Sequence, residues 1–462
     1  MNRYKKLAFN TVIFAVGTFS SKFLVFLMLP LYTRTLSSSE YGEVDLVVQA
    51  CNLMIPIASA GIMNAVIRFG LDGNENKKGV FSFGLVTFLI GFVLLLFANP
   101  LFMNIDFLAV NISYVYLFVF AAALHSLCSN FIRSQEYVRL YAFDGILRTV
   151  LTIILNILFL AMMHLGIAGY LLATIISDTV SVVVLFFSAR LYRFFSLRSI
   201  DKHIAGSMLK YALPLIPTTV SIWIINISDR YILSYLIGNE ANGLYAIAYK
   251  IPTIITIMAA IFMDAWQISS VNEYSEKDGA HFFSKVFSVY SSLVFVASSA
   301  IIAGTKIATG ILVSSEFYGA WQYMPILVLA TVFACFASFL SSIYMSEKKS
   351  GHILMTTLIS AVLNIFLNFT LIPSFGIQGA CVSTLFSYLA MFLIRAAKSR
   401  MFVKMSLGIP KITINTAILL LQITILLTAS QNWLIYEFIL AALVLSINLR
   451  TLLTGVRKVV DP

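Results

Sequence analysis

Lys22, Asp178, Asp229, Arg230 and Lys250 each sit inside a stretch that would otherwise dissolve in hydrocarbon. Such residue types have a short list of uses there. A guanidinium can grip a phosphate or carboxylate through two parallel hydrogen bonds, an ammonium acts as a point charge, and a carboxylate can exchange a proton or small cation. A charge at the centre of a bilayer costs about 2.5–3.5 kcal/mol on insertion scales, so these groups ordinarily face water, an internal cavity or one another. In "IINISDRYILSYLIG", Ile224 to Gly238, Asp229 and Arg230 are neighbours in sequence. On a helix they point about 100° apart, which frees Asp229 to pair with another segment. Arg148 has Asp144 one turn earlier and is expected to pair with it.

Other polar residues form stripes. Asp45, Gln49 and Asn52 follow the i, i+4, i+7 spacing of one helix face, and Asp264, Trp266 and Gln267 close a later apolar run. Such stripes either line a cavity or join helices to one another. Pro214, Pro217 and Pro252 could bend the helices that carry them.

The elements that hold these residues follow from composition. Of 462 residues, 60% are hydrophobic and 11% are charged, and the mean hydropathy is +0.93. That is far from the roughly 25% charged makeup of soluble domains. Apolar runs of about 20 residues, long enough to cross about 30 Å of hydrocarbon, recur from end to end. Fourteen spans are expected, from 8–32 to a final pair at 412–430 and 433–450, with the seventh and eighth at 212–236 and 243–270. Period-two alternation is absent, so the spans are helices of an all-α membrane protein. The first span is too long for a signal-peptide core and is read as retained.

Basic residues test the count. With the N-terminus inside, 25 of the 31 Lys and Arg fall in cytoplasmic segments, Arg395 among them, and the outer loops hold only Arg34 and Lys306. Both termini are therefore expected in the cytoplasm. The net charge of +11 is what this topology requires, so no nucleic-acid partner is implied. Cys51, Cys128, Cys335 and Cys381 fall in four different spans and read as small buried hydrophobes.

The chain also repeats itself. Thr11, Thr18, Ser21 and Lys22 share their spacing with Thr219, Asn226, Asp229 and Arg230, 208 residues later. "GIAGYLLATIISD" from Gly166 pairs with "GIQGACVSTLFSY" from Gly376 at an offset of 210, with Tyr388 standing where Asp178 would be. Six spans separate the copies, an even number, so both enter the membrane with the same orientation. Parallel repeats of this kind place a transport site between two lobes. The expected domains are an N-lobe at 1–195, a linker at 196–210, a C-lobe at 211–400, and a linker with two further spans at 401–462.

Signals for bond-making chemistry are missing. The sequence has no Walker A loop, HExxH or dinucleotide fingerprint, and its five histidines lack ligand spacing. No enzyme activity, metal or cofactor is expected.

"YTRTLSSSEYGEVDLVVQ", "SDRYILSYLIGNEANGLYAIAYK" and "LNIFLNFTLIPSFGIQGACVSTLFSY" resemble signature regions of bacterial polysaccharide-unit flippases. These are the Wzx-type exporters of the multidrug, oligosaccharidyl-lipid and polysaccharide superfamily. The resemblance covers nearly the whole chain. It implies two six-helix lobes around a V-shaped cavity opened alternately to either side, plus two C-terminal helices. It also implies carriage of undecaprenyl-pyrophosphate-linked oligosaccharides to the outer leaflet of the plasma membrane, in concert with the polysaccharide polymerase and chain-length machinery. Asp229 and Arg230 match the motif of the seventh span, Gly42 and Gly243 the turns opening spans 2 and 8, and Asn364 and Gly376 the motifs of span 11.

On this reading Lys22, Arg230 and Lys250 receive the pyrophosphate, Asp45 and Gln49 line the cavity, and Asp178 and Asp229 are candidates for ion coupling. An antiporter of drugs or cations in the same superfamily would favour an acidic cavity. A flippase for a teichoic-acid unit or the peptidoglycan precursor would share the same physics. A non-transporting scaffold would leave the repeated basic residues without a purpose.

Overall fold

The computed structural model describes residues 26, 28–71, 76–273, 279–346, 350–428 and 431–460. Every regular element among them is helical. The chain divides into two compact units, one of Leu31–Ile227 and one that includes Ser228–Pro462.

In the first unit, α1 (Leu29–Thr35), which enters it at Leu31, leads into α2 (Ser38–Ala58) and α3 (Ile62–Gly70), followed by α4 (Lys77–Phe97), α5 (Asp106–Ser134), α6 (Val138–Asn156), α7 (Gly166–Ser188) and α8 (Lys202–Ala212). The "SSSEYG" motif starts α2 with a capping box. Ser37 Oγ accepts from the Glu40 amide at 3.2 Å, and Glu40 Oε2 accepts from the Ser37 amide at 2.9 Å. Span 2 is not straight, because α2 and α3 meet at 57°. Pro56 lies in the last turn of α2, and Ala60 and Gly61 both take positive φ. Gly61 also lies so near the Ala212 carbonyl of α8 that a Cβ would meet its oxygen at 2.9 Å.

Two apolar clusters fill this unit. Val47, Cys51, Val115, Val119 and Leu171 join α2, α5 and α7. Val66, Phe81, Phe88, Phe131 and Met208 join α3, α4, α5 and α8. By contrast, Leu89, Ile90, Val93, Leu94 and Phe97 of α4 stay exposed, as helices facing hydrocarbon would leave them.

α9 (Leu215–Leu236) carries the Asp229–Arg230 pair, and the division between the units falls within it. α10 (Asn239–Glu273), α11 (Gly279–Leu312), α12 (Met324–Ser346), α13 (Ser350–Phe375), α14 (Ile377–Ser399), α15 (Ile409–Thr428) and α16 (Trp433–Val460) follow. Their core is aromatic. Trp266 stacks on Phe339 at 4.8 Å, Phe287 meets Phe339 at 5.1 Å, and the Trp266 indole donates to Ser342 Oγ at 2.8 Å.

The repeated "GIxG" acquires a physical reason here. Gly166 and Gly376 open α7 and α14 with φ of +55° and +59°, a region closed to most side chains. Three residues on, a Cβ at Gly169 would meet the Phe159 carbonyl at 3.2 Å, and one at Gly379 would collide with the Leu371 backbone. One glycine turns the chain and the next lets it pack against the segment just left.

Eleven of the described helices are long and apolar enough to cross a membrane, and the bent α2–α3 pair makes twelve. The protein is a multi-pass integral membrane protein. Of the fourteen expected spans, the first lies almost entirely outside the described residues, with Thr11, Thr18, Ser21 and Lys22. The seventh is the helix α9 but is not among the eleven, since Asp229, Arg230 and Pro217 make it less apolar.

Several details depart from the sequence reading. Pro214 and Pro217 sit at the start of α9, where a missing amide costs little, and Pro252 lies inside an unbroken α10. Lys306 is carried on a helix where a loop was expected, because α11 runs on to Leu312. Arg395, assigned to a cytoplasmic segment, is 4% exposed inside α14. All four cysteines, by contrast, are buried and free as the sequence reading has them.

Candidate functional site

Asp229 is a buried charged residue of the second unit with three side-chain donors. It is 2% exposed and accepts from Asn368 Nδ2 of α13 at 2.5 Å, Tyr245 Oη of α10 at 2.7 Å and Thr384 Oγ1 of α14 at 2.5 Å. Asn364 Oδ1 extends the network by accepting from Asn368 Nδ2 at 3.0 Å and from Ser228 Oγ at 2.8 Å. One carboxylate thus ties α9 to three other helices. A carboxylate with several strong donors can stay ionised in a dry interior, and without them it would be costly to bury.

Arg230 projects from α9 in another direction. It is 7% exposed, with its guanidinium carbon 5.7 Å from the centroid of the Tyr249 ring on α10. Lys250, half-buried, is the next residue on that helix, so two of the proposed anion-binding cations and Tyr249 come from adjoining stretches of α9 and α10. Lys22 lies outside the described residues.

In the first unit, Asp45 is 8% exposed on α2, and the Gln49 carbonyl accepts from the Trp223 indole at 2.9 Å. Arg148 bonds through Nε and Nη2 to Asp178 of α7, not to Asp144 on its own helix. Asp178 is 1% exposed and Arg148 42%, so the guanidinium reaches inward from the surface of α6. Asp144 is taken by His125 Nε2 of α5 at 2.9 Å and by Ser181 of α7. The i, i+4 rule places Asp144 and Arg148 on the same face, but α7 offers a carboxylate that two guanidinium nitrogens can reach at once.

The sequence reading did not single out Tyr245, Asn368 or Thr384 as partners of Asp229. Asn364 and Asn368 carried a signal, two amides one helical turn apart in an apolar run. Arg395 was also missed. It donates to the Ala337 carbonyl, Ser341 Oγ, Thr356 Oγ1 and Thr357 Oγ1 at 2.7–3.0 Å, and so clamps α12, α13 and α14. Among the described residues, no group of three His, Cys, Asp or Glu side chains could hold a metal ion.

The arrangement contains charges that position one another inside a helical bundle. The chain resembles the inward-facing conformation of a multidrug resistance MATE family transporter of the MOP superfamily, with TM-score 0.71 and 14% identity, over 87% of this chain and 99% of that one. It also resembles the lipid II flippase MurJ in an inward closed conformation, with TM-score 0.69 and 14% identity, over 97% of this chain and all of the other. The fold is therefore of the kind seen in these MATE and MurJ structures.

The family follows from sequence. Residues 7–267 match the profile described as polysaccharide biosynthesis protein, and the chain belongs to that family. Among curated proteins it is 26% identical over 189 residues to the probable low-salt glycan biosynthesis flippase Agl15 of Haloferax volcanii. That match spans 40% of this chain and 40% of the relative's length.

Proposed function

We propose that the protein is a flippase that moves undecaprenyl-pyrophosphate-linked oligosaccharide repeat units from the cytoplasmic to the outer leaflet of the bacterial plasma membrane. It does so by alternating access between an N-lobe at 1–195 and a C-lobe at 211–400, with both termini in the cytoplasm. The observation that carries this reading is Arg230, a buried cation on a helix whose neighbouring carboxylate is fixed by α10, α13 and α14. A cation held in that way is preorganised for a phosphate, and its repeat counterpart is Lys22.

Lys22, Arg230 and Lys250 receive the pyrophosphate, Asp45 and Gln49 contact the sugar, and the polyprenyl tail stays in lipid. Membership of a polysaccharide-biosynthesis family and the glycan flippase relative both support this substrate class. A potential negative inside favours outward movement of the anion by about 2.3 kcal/mol per charge for each ~100 mV crossed. Proton or ion exchange at Asp178 or Asp229 would require release from Arg148 in one case, and from Asn368, Tyr245 and Thr384 in the other.

The test is genetic and chemical. In a host lacking this gene and any redundant flippase, with the polymerase intact, lipid-linked oligosaccharides should accumulate where an external probe cannot reach them. The wild type should restore access, and Lys22→Ala and Arg230→Ala should not. Normal surface polymer in the deletion strain would remove the proposal and direct the search to exported cations and drugs.

A further inference from the structure

The C-terminal helix pair α15–α16 carries a charged group that the proposed transport cycle does not use. Glu437, one turn into α16, is 0% exposed. Its Oε2 accepts from Gln422 Nε2 of α15 at 2.9 Å, whereas its Oε1 is buried without a hydrogen-bond partner. Gln422 is itself held by α11, where Ser299 Oγ donates to Gln422 Oε1 at 2.8 Å. Three helices therefore meet at one carboxyl group.

Lys306 of α11 reaches the same end of α16, with its ammonium on the ring of Trp433 one turn before Glu437, and α15 contributes the neutral Gln422. Among the described residues no ion pair joins Lys306 to Glu437. The ammonium lies instead against two indole rings, 4.2 Å from the centroid of Trp321 and 4.9 Å from that of Trp433. A fully buried carboxyl whose hydrogen-bond partner is a neutral amide, with the nearby ammonium resting on two π faces, is cheaper to hold neutral than ionised. An ionised group without surface exposure would demand the ammonium as its partner.

We infer that Glu437 is a proton-binding site and that its occupancy decides where Lys306 rests. When Oε1 binds a proton from water, an O–H bond forms and the carboxyl charge goes from −1 to zero, with Lys306 on Trp321 and Trp433. When the proton leaves, the carboxylate draws Lys306 off the indoles, and the contact between the hairpin and α11 changes. The device needs no substrate and stands independently of the proposed flippase activity.

The experiment uses the full chain in lipid nanodiscs. Infrared spectra and tryptophan emission are recorded from about pH 5 to about pH 9, for the wild type and for Glu437→Gln, which keeps the shape of the neutral acid. The wild type should show a carboxylic-acid C=O band that disappears as pH rises, together with a change in tryptophan emission. Both should be lost in Glu437→Gln, and the emission change should shrink in Trp433→Phe. Lys306→Met should move the transition to higher pH, since removing the cation favours the neutral acid. This second variant tests the idea even where the first fails to fold.

A band that persists at every pH, no band that depends on Glu437, or a transition left in place by Lys306→Met would each overturn the inference. A transition set by sodium concentration at fixed pH would also overturn it and make the site one for a metal cation.

Discussion

Tyr245→Phe is the cleanest perturbation of the Asp229 network, because it removes one hydroxyl from a side chain 1% exposed and leaves the ring in place. The lost bond, 2.7 Å from Tyr245 Oη to Asp229 Oδ2, has an ionised acceptor, and such bonds contribute about 1.5–3 kcal/mol each. Asp229→Ala removes all three bonds, so simple addition would give about 4.5–9 kcal/mol. The carboxylate's own desolvation cost disappears with it, which brings the net loss nearer the ~3–5 kcal/mol typical of a broken buried charge site.

The discriminating quantity is the double mutant. Once Asp229 is gone the Tyr245 hydroxyl keeps only the longer, neutral contact with Thr384 Oγ1 at 3.3 Å, so adding Tyr245→Phe should cost under about 1 kcal/mol, a coupling of about 1–2 kcal/mol. Reversible unfolding in mixed micelles, read by tryptophan emission, measures all four corners of the cycle. Additivity within about 0.5 kcal/mol would refute the claim that these groups act as one network.

Arg395→Lys should destabilise the protein by about 3 kcal/mol in the same assay, because an ammonium lacks the planar fork that reaches acceptors on two other helices from α14. A loss below about 1 kcal/mol would mean the clamp is ornamental. Gly379→Ala should cost about 1–3 kcal/mol or more, since its Cβ would meet the Leu371 backbone, which cannot move aside as a flexible side chain can. Gly304→Ala, inside α11 with nothing within 4 Å of the new Cβ, should instead stabilise by about 0.5–1 kcal/mol. Equal effects at the two glycines would show that close approach is not what Gly379 serves.

Hydropathy and periodicity alone made the all-helical membrane class legible, because every backbone group in hydrocarbon must be satisfied within its own segment. The repeat was legible too, since Gly166 and Gly376 answer to a backbone requirement that no other residue meets easily. Side-chain pairing was harder to read. Arg148 has a carboxylate at i−4 in its own helix, yet its geometry is decided by α7, and nothing local in the sequence announces that neighbour. Asp229 stood out as a buried charge, but its three donors come from residues 16, 139 and 155 positions away. The ends of the helices that carry Arg395 and Lys306 were harder to read, because hydropathy falls before the helix stops and α14 and α11 continue to Ser399 and Leu312.

The pairing of α6 with α7 rests on an unusual balance. Phe143, Ile146, Val150 and Ile154 leave α6 mostly open to hydrocarbon, and the helix is held by Asp144 to Ser181, Arg148 to Asp178, and Thr152 to Ser177. Separating such a pair within lipid exposes little apolar surface to water, so its heat-capacity change is small. The strength of this contact should therefore fall almost linearly with warming, without the cold-side maximum of a water-driven core. In an organism that changes growth temperature, α6 would loosen in the heat yet keep its grip in the cold.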